Sequence, residues 1–430
     1  MNLLKAFGNA FRVPDLRKKI LFTLVVIAVY RLGSHIPAPG IDVEAAQRFA
    51  SAAQGGVFQF INLFSGGALT QMAIFALGIM PYITSSIIMQ LLTVVIPKLE
   101  AWSKEGESGH KKITQWTRYL TVLLAILQST GLAFLFHNGQ IQDPSGQGVD
   151  LIPNFTPARV ILVVLSLTAG TAFIMWLGEQ ITQRGIGNGM SIIIFTSIVS
   201  TLPSEGNLIL QQKGFGPFLV ILALGIGIVV AIVYMEQGQR RIPVQYAKRV
   251  VGRRMYGGSS TYIPLKVNQA GVIPIIFASS VLYIPSLLQN VIHNETIQGI
   301  FDALVDSSSA VYMLFYGVLV VFFTYFYTSI TFNPTDVADN MKKYGGFIPG
   351  IRPGRQTAEY LDRILTRITL PGALFIAAIA LLPSIFLASQ DIQQLPFGGT
   401  SILITVGVTL ETMKQIESQL TMRHYEGFLK

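Results

Sequence analysis

The chain contains no cysteine, which excludes disulfides, thiol chemistry and any Cys-ligated metal. Charge is also scarce: 12% of residues are Asp, Glu, Lys or Arg, against about 25% in water-soluble domains. No glycine-rich phosphate loop ending in Lys-Ser/Thr is found, no metal-ligand cluster and no nucleophile–base–acid set. An enzyme is therefore the least favoured function class, and neither cofactor nor metal is expected. What fills the chain instead is apolar: 51% hydrophobic residues and a mean hydropathy of +0.53.

The few charges sort by loop. Of the 31 Lys and Arg residues, only Arg48, Arg159 and Lys213 fall in the even-numbered loops between apolar runs, and only Arg31 falls inside a run. All the others lie at the termini or in the odd-numbered loops, while Asp and Glu show no such bias. That is the positive-inside pattern of a polytopic membrane protein with both ends in the cytoplasm, so the net charge of +9 is explained by topology before nucleic acid need be invoked. The basic stretch ending Arg17-Lys18-Lys19 mimics a signal peptide, but no small-residue cleavage site follows, and it reads as a retained first helix.

Ten spans are expected: Ile20–Ile36, Met72–Ile96, Tyr119–Phe136, Val160–Leu177, Met190–Leu202, Phe215–Met235, Val272–Val291, Val311–Phe332, Leu370–Ala388 and Thr400–Met413. The fifth and tenth are short for a bilayer crossing of roughly 20 residues. Removing the fifth, however, would put the arginine-rich loop at 240–266 outside. Spans two and seven share a motif, G-x-x-P-x-I-x-x-S, read from Gly78, Pro81, Ile83 and Ser86 and again from Gly271, Pro274, Ile276 and Ser279. The two spans run in opposite directions, so the chain divides into inverted halves, 1–214 and 215–430. Short or Gly/Pro-broken helices at matching positions of two halves point to a transport path between them.

That path lacks the groups a coupled transporter needs. No histidine is central to a span, and Glu179 and Glu236 stand at cytoplasmic ends. Arg31 lies about a turn from the outer end of its span, where it can snorkel or pair with another helix. The motif offers isoleucines instead: Ile79 and Ile83 four apart, Ile276 as the repeat mate of Ile83, Met190 and Ile194 four apart, and Ile404 in span ten. A narrow apolar ring resists wetting and gives an ion no ligand. Isoleucines in membrane helices commonly face lipid or neighbouring helices, so the residues alone leave both readings open.

Residues 55–69 (GGVFQFINLFSGGAL) are too apolar for an exposed loop, and Gly66-Gly67 breaks any helix there. A re-entrant plugging piece and a helix lying on the membrane surface both suit. Two long cytoplasmic loops, about 236–269 and 333–369, are too extensive to be connectors. The first alternates polar and apolar residues around Arg241–Lys248 and Thr261–Val267, which predicts a two-stranded ribbon with its tip at Arg253–Ser260. The second carries Gly350-Ile351-Arg352-Pro353-Gly354-Arg355, a rigid turn that presents guanidinium groups suited to phosphate or carboxylate.

Several stretches resemble the SecY family, the central channel subunits of the Sec protein-translocation system: NLFSGGAL, FALGIMPYITSSIIMQLL, SKEGESG, RGIGNGMSIIIF, EQGQRRIPVQYAKR, PLKVNQAGVIPIIFASS, FNPTDVADNMKKYGGFIPGIRPG and GGTSILI. The resemblance runs in order from the N-terminus to about Tyr425. It implies an all-α polytopic fold of ten helices in two inverted five-helix halves, with a plug and a cytoplasmic β-ribbon. It also implies a protein-conducting channel for unfolded secretory polypeptides, with lateral release of membrane segments. By resemblance, the pore ring falls on Ile79, Ile83, Met190, Ile194, Ile276 and Ile404; Met190 departs from the branched aliphatic residue expected there, though a flexible thioether can keep a seal. The plug, at about 58–69, includes Asn62, Leu63, Phe64, Ser65, Gly66, Gly67, Ala68 and Leu69. Thr84, Gln128 and Ser280 map to a lateral gate, which lies between spans two and three on one side and seven and eight on the other. Arg241, Arg253, Arg254 and Arg352 map to the surface that meets ribosomal RNA or the SecA motor. The implied partners are SecE and SecG, SecA, the ribosome, signal sequences and nascent chains, and the lipid of a bacterial cytoplasmic membrane. The competing readings are a small-solute secondary transporter, which would need a coupling carboxylate or polar binding site, and a scaffold that only docks a cytoplasmic partner.

Overall fold

Proline and asparagine mark where several long helices begin. The computed structural model describes residues 11, 13–42, 44–46, 62–137, 151–152, 155–246, 249–251, 254–256, 260–289, 299, 303–304, 309–390 and 399–427. Helix α1 (Pro14–Gly33) opens on a proline, with Asp15 in its first turn and Arg31 in its last. Proline gives up no needed N–H there, and both charges oppose the helix dipole at their own end. Helices α2 (Met80–Val95) and α3 (Pro97–Lys104) form a pair bent by 100°. Pro97 disfavours helical backbone at the residue before it, and Ile96 is extended at φ −99°, ψ 112°. Then come α4 (Glu107–His137), α5 (Pro157–Arg184), α6 (Gly189–Lys213) and α7 (Phe215–Gln237). The Asn188 side chain caps α6 by accepting from Met190 N at 3.1 Å.

Strands β1 (Gln239–Tyr246), β2 (Arg249–Val251), β3 (Arg254–Tyr256) and β4 (Ser260–Lys266) lead to α8 (Ile273–Gln289) and α9 (Ala310–Thr331). Helix α10 (Pro334–Lys343) carries a full set of end signals: Asn333 accepting from Thr335 N at 3.1 Å, Asp336 in the first turn, Lys342 and Lys343 in the last. Strand β5 (Gly346–Phe347) and the long α11 (Arg355–Gln390) and α12 (Gly399–Gly427) complete the chain. Helix α2 packs against α4 and α8, and α6 packs against α5, α7 and α12. The main buried cluster is drawn from α1, residues 64–87, α5 to α9, α11 and α12.

Among the described residues, five helical stretches are long and apolar enough to cross a bilayer, and the bent α2–α3 pair makes a sixth. The other four predicted spans coincide with α1, α4, α8 and α12. The predicted boundaries need three corrections. The fifth and tenth spans are not short helices: their apolar stretches open helices of 25 and 29 residues, because the backbone stays helical where hydropathy ends. Span two is helical only from Met80, since residues 66–79 form turns. Backbone groups there bond back to the chain after α1, with Ala38 N donating to Met72 O at 2.8 Å and Ile74 N to Ile36 O at 2.9 Å, and this draws the chain out of the helix.

The third correction concerns the ribbon. Strands β1 and β4 pair antiparallel from Gln239↔Lys266 to Gln245↔Ser260, as alternation predicts. Between them in sequence, β2 and β3 form a separate antiparallel pair, with Val251 opposite Arg254. Within the predicted tip Arg253–Ser260, Arg254–Tyr256 is therefore strand and Ser260 opens β4, while residues 253 and 257–259 lie outside the described residues. Strand β5, which was not foreseen, pairs with β1 through Gln245↔Phe347 and Tyr246↔Gly346. It unites the two long loops around a shared core of Ile242, Val244, Leu265, Met341, Ile348, Leu361 and Ile364.

Candidate functional site

The repeated motif has one backbone geometry in both copies. Gly78 has φ 57° and Gly271 has φ 63°, left-handed values that favour glycine. A helix starts two residues later in each case, with proline in its first turn. The entering hydrogen bonds also correspond: Tyr82 N and Ile83 N both bond to Ile79 O, while Ile275 N and Ile276 N both bond to Val272 O.

These helix starts carry the isoleucines inward. Ile79 (1% exposed), Ile83, Ile194, Ile276 and Ile404 (0%) all belong to the main buried cluster. Met190 is partly buried and packs against the same cluster. Residues at α2, α6, α8 and α12 thus place every residue assigned to the ring in or against this one cluster, and among the described residues no Asp, Glu, Lys or Arg is buried.

Against this cluster sits the segment at residues 62–69. A helical turn at 62–65 ends at Gly66 and Gly67, with φ 65° and 88°, so the predicted break is present. Phe64, Ser65, Ala68 and Leu69 are all 0% exposed. The segment folds on itself: Gly67 N donates to Asn62 O at 3.0 Å, and Leu69 N donates to Ser65 Oγ at 3.2 Å. It is also held from outside. The Tyr30 hydroxyl donates to Ser65 O at 3.1 Å and lies 2.6 Å from Ser197 Oγ. Arg31 Nη1 donates to Gly66 O at 2.7 Å. A Cβ on Gly66 would lie 3.0 Å from Ser197 Cα and 3.1 Å from Arg31 Nη1, so the residue is glycine for space as well as for conformation. Of the wider plug range, residues 58–61 lie outside the described residues.

The gate assignments are less directly joined. Thr84 Oγ1 bonds to Met80 O at 3.0 Å and Ser280 Oγ to Ile276 O at 2.8 Å, each on its own helix. Gln128 is half-buried on α4. The hydroxyls that cross between helices are neighbours the sequence reading passed over. Ser85 Oγ donates to Thr117 O at 2.7 Å, joining α2 to α4. Tyr316 OH lies 3.2 Å from both Ser279 Oγ and Thr400 Oγ1, joining α8, α9 and α12. The hydroxyl runs Thr84-Ser85-Ser86 and Ser279-Ser280 within apolar helices were the available signal. Arg118 on α4 makes a two-pronged ion pair with Glu179 on α5, at 2.7 Å for each bond.

On the loop body, Arg241 is exposed on β1 with its guanidinium 4.9 Å from the Tyr262 ring centroid. Arg352 is exposed at the turn before α11, and its carbonyl accepts from Thr357 Oγ1 at 2.9 Å. Arg254 is in β3, and Arg253 lies outside the described residues. Among the described residues, no group of three or more His, Asp or Glu side chains could hold a metal ion.

A family model described as SecY matches residues 73–413. Protein translocase subunit SecY of Streptomyces scabiei is 56% identical over 439 residues, covering 100% of both chains. The subunit of the same name from Mycobacterium tuberculosis is 53% identical over 443 residues, again covering 100% of both. Among solved structures, one described as a protein conducting channel aligns with a TM-score of 0.65 at 18% identity, covering 94% of this chain and 92% of that one. A second, in which the plug domain of SecY is said to stabilise the closed state and maintain a membrane seal, has a TM-score of 0.64 at 18% identity and the same coverage. A third, Sec61 in a canine ribosome-channel complex, has a TM-score of 0.62 at 18% identity, also with that coverage.

Proposed function

This chain belongs to the SecY family of protein translocase subunits, and on that premise we propose how its parts serve a protein-conducting channel. It is a multi-pass membrane protein and a conduit, not an enzyme: unfolded secretory polypeptides cross through it and membrane segments leave it sideways. The observation that carries the site assignment is the burial of Phe64, Ser65, Gly66, Ala68 and Leu69 beside the cluster that holds Ile79, Ile83, Ile194, Ile276 and Ile404. Those residues with Met190 form the pore ring, and Asn62–Leu69 is the plug. An apolar constriction of this kind admits a polypeptide when its helices part, yet offers a small ion nothing to replace its hydration shell.

The gate lies between α2 and α8, which are in contact, with Thr84, Gln128 and Ser280 along it. A signal segment gains roughly 0.8 kcal/mol for each CH₂ it moves from water into lipid, and that gain biases the gate towards opening. The corresponding backbone at Gly78 and Gly271 supports a division into inverted halves, 1–214 and 215–430, with ten spans in all. The sorted Lys and Arg, together with the bacterial sources of the relatives, support a bacterial cytoplasmic membrane with both termini inside. Arg241, Arg253, Arg254 and Arg352 then dock the ribosome, through its RNA, and the SecA motor, while SecE and SecG complete the complex.

The test is reconstitution of this chain with SecE, SecG and SecA in proteoliposomes, with residues 62–69 present or deleted. ATP-dependent precursor import with extra ion leak on deletion is expected. A tight membrane that takes up a small solute down an ion gradient would sink the reading.

A further inference from the structure

We propose that Tyr30, Arg31 and Ser197 form a polar latch that holds residues 62–69 in the sealed position and opens when α6 moves away from α1. The inference rests on the reading of that segment as a plug. A buried non-helical segment cannot leave its carbonyls bare, because an unpaired backbone group away from water is costly. Ser65 and Gly66 are the two residues at which the helical turn ends, and each carbonyl is met by a side chain from α1: Ser65 O by the Tyr30 hydroxyl at 3.1 Å, Gly66 O by Arg31 Nη1 at 2.7 Å. Successive residues of one helix thus cap successive carbonyls of the plug. The second bond is charge-assisted and so the stronger of the two.

Proton accounting draws Ser197 into the latch. Tyr30 has one hydroxyl proton and two oxygens in reach, Ser65 O and Ser197 Oγ. Both contacts hold together only if Ser197 donates to Tyr30 and Tyr30 donates to Ser65. Ser197 also has Ile193 O within 2.9 Å on its own helix, so its proton has two destinations, and choosing the local one frees Tyr30 from α6. Ser197 lies one turn along α6 from Ile194 of the ring, so a chain that widens the ring displaces Ser197 with it. Outside the latch, Arg31 Nη2 lies 3.3 Å from His35 Nε2, and His35 Nδ1 lies 2.6 Å from Gln71 Oε1. These contacts hold the guanidinium plane beyond the bond to Gly66.

Resting ion conductance of the reconstituted complex reads the latch directly. Arg31→Gln and Tyr30→Phe are each expected to raise the leak, Arg31→Gln by about tenfold, the size of change a lost charge-assisted bond produces. Arg31→Lys, which keeps a cation within reach of Gly66 O, should recover part of the seal. In a chain lacking 62–69, the same substitutions should add nothing. Leak in Arg31→Gln and Tyr30→Phe equal to that of the unaltered complex would overturn the latch, as would leak that adds to that of the deletion. If deletion itself leaves the membrane tight, the plug assignment fails and the latch with it. Import of a precursor with an intact signal, normalised to inserted channel, separates latch loss from misfolding: latch variants still translocate, and a variant that leaks without translocating counts against the proposal.

Discussion

Gly78 and Gly271 stand at the same position of one motif in two parts of the chain, and their φ angles of 57° and 63° differ by little. Their surroundings differ more. A Cβ on Gly78 would lie 3.0 Å from Phe64 O and 3.0 Å from Ser65 Cα, whereas one on Gly271 meets nothing within 4 Å. The repeat therefore shares a conformation, but only its first copy has residues 64–65 pressed against it.

Alanine at Gly271 should cost only the left-handed backbone, about 1–2 kcal/mol. Alanine at Gly78 should cost more, because the crowding atoms are backbone and cannot turn aside. Thermal unfolding of the two purified variants in detergent checks the order, and equal losses would contradict the packing described around Gly78.

Ile404 is 0% exposed and Ile83 is 8% exposed. Asparagine at either buries an amide without a planned partner, at about 1–3 kcal/mol, and favours any state in which the cluster parts. Export of a reporter with a defective signal should rise by about an order of magnitude in Ile404→Asn and stay low in Ile404→Leu. Equal export in the two would argue against a ring at this position.

The Arg118–Glu179 pair joins α4 to α5, with the Glu179 side chain 15% exposed. Arg118→Ala strands the carboxylate and should destabilise the chain by about 1–3 kcal/mol, with Arg118→Lys recovering only part, since a lysine cannot make the paired bonds. Replacing both partners by apolar residues of similar size should be milder than Arg118→Ala alone. A double-mutant cycle on the unfolding midpoint measures the difference.

On the loop body, Arg352→Glu should weaken ribosome or SecA binding more than Arg241→Glu. Arg241 is already engaged with the Tyr262 ring, while the Arg352 turn is fixed through its carbonyl and leaves the side chain outward. Titrating complexes in nanodiscs at two salt concentrations reads both affinities, and the Arg352 variant should also lose more of the salt dependence.

Much of this was legible in the residues because it was written locally. Sorted Lys and Arg mark the loops, Gly66-Gly67 marks the break, and Arg31 stood out as the only basic residue within an apolar run. The helix ends were less legible, since α12 continues through Lys414 and Glu417 where hydropathy has already fallen. Residues 72–79 misled because Met72 O and Ile74 N bond to Ala38 and Ile36, partners that no local pattern names. Strand β5 has only two residues, too few to show any period. Tyr30, Ser197 and Tyr316 were invisible for the same reason as residues 72–79: their value lies in partners far along the chain.

Strand β5 also changes how mechanical work would enter the molecule. Because Gln245 and Tyr246 are paired to Phe347 and Gly346, the two loops form one stiff arm, not two slack tethers. One root of that arm leaves α7 and returns to α8, and the other leaves α9 and enters α11. A push at the ribbon tip is therefore delivered as a torque on four helices at once, among them α8, whose first turns carry Ile276.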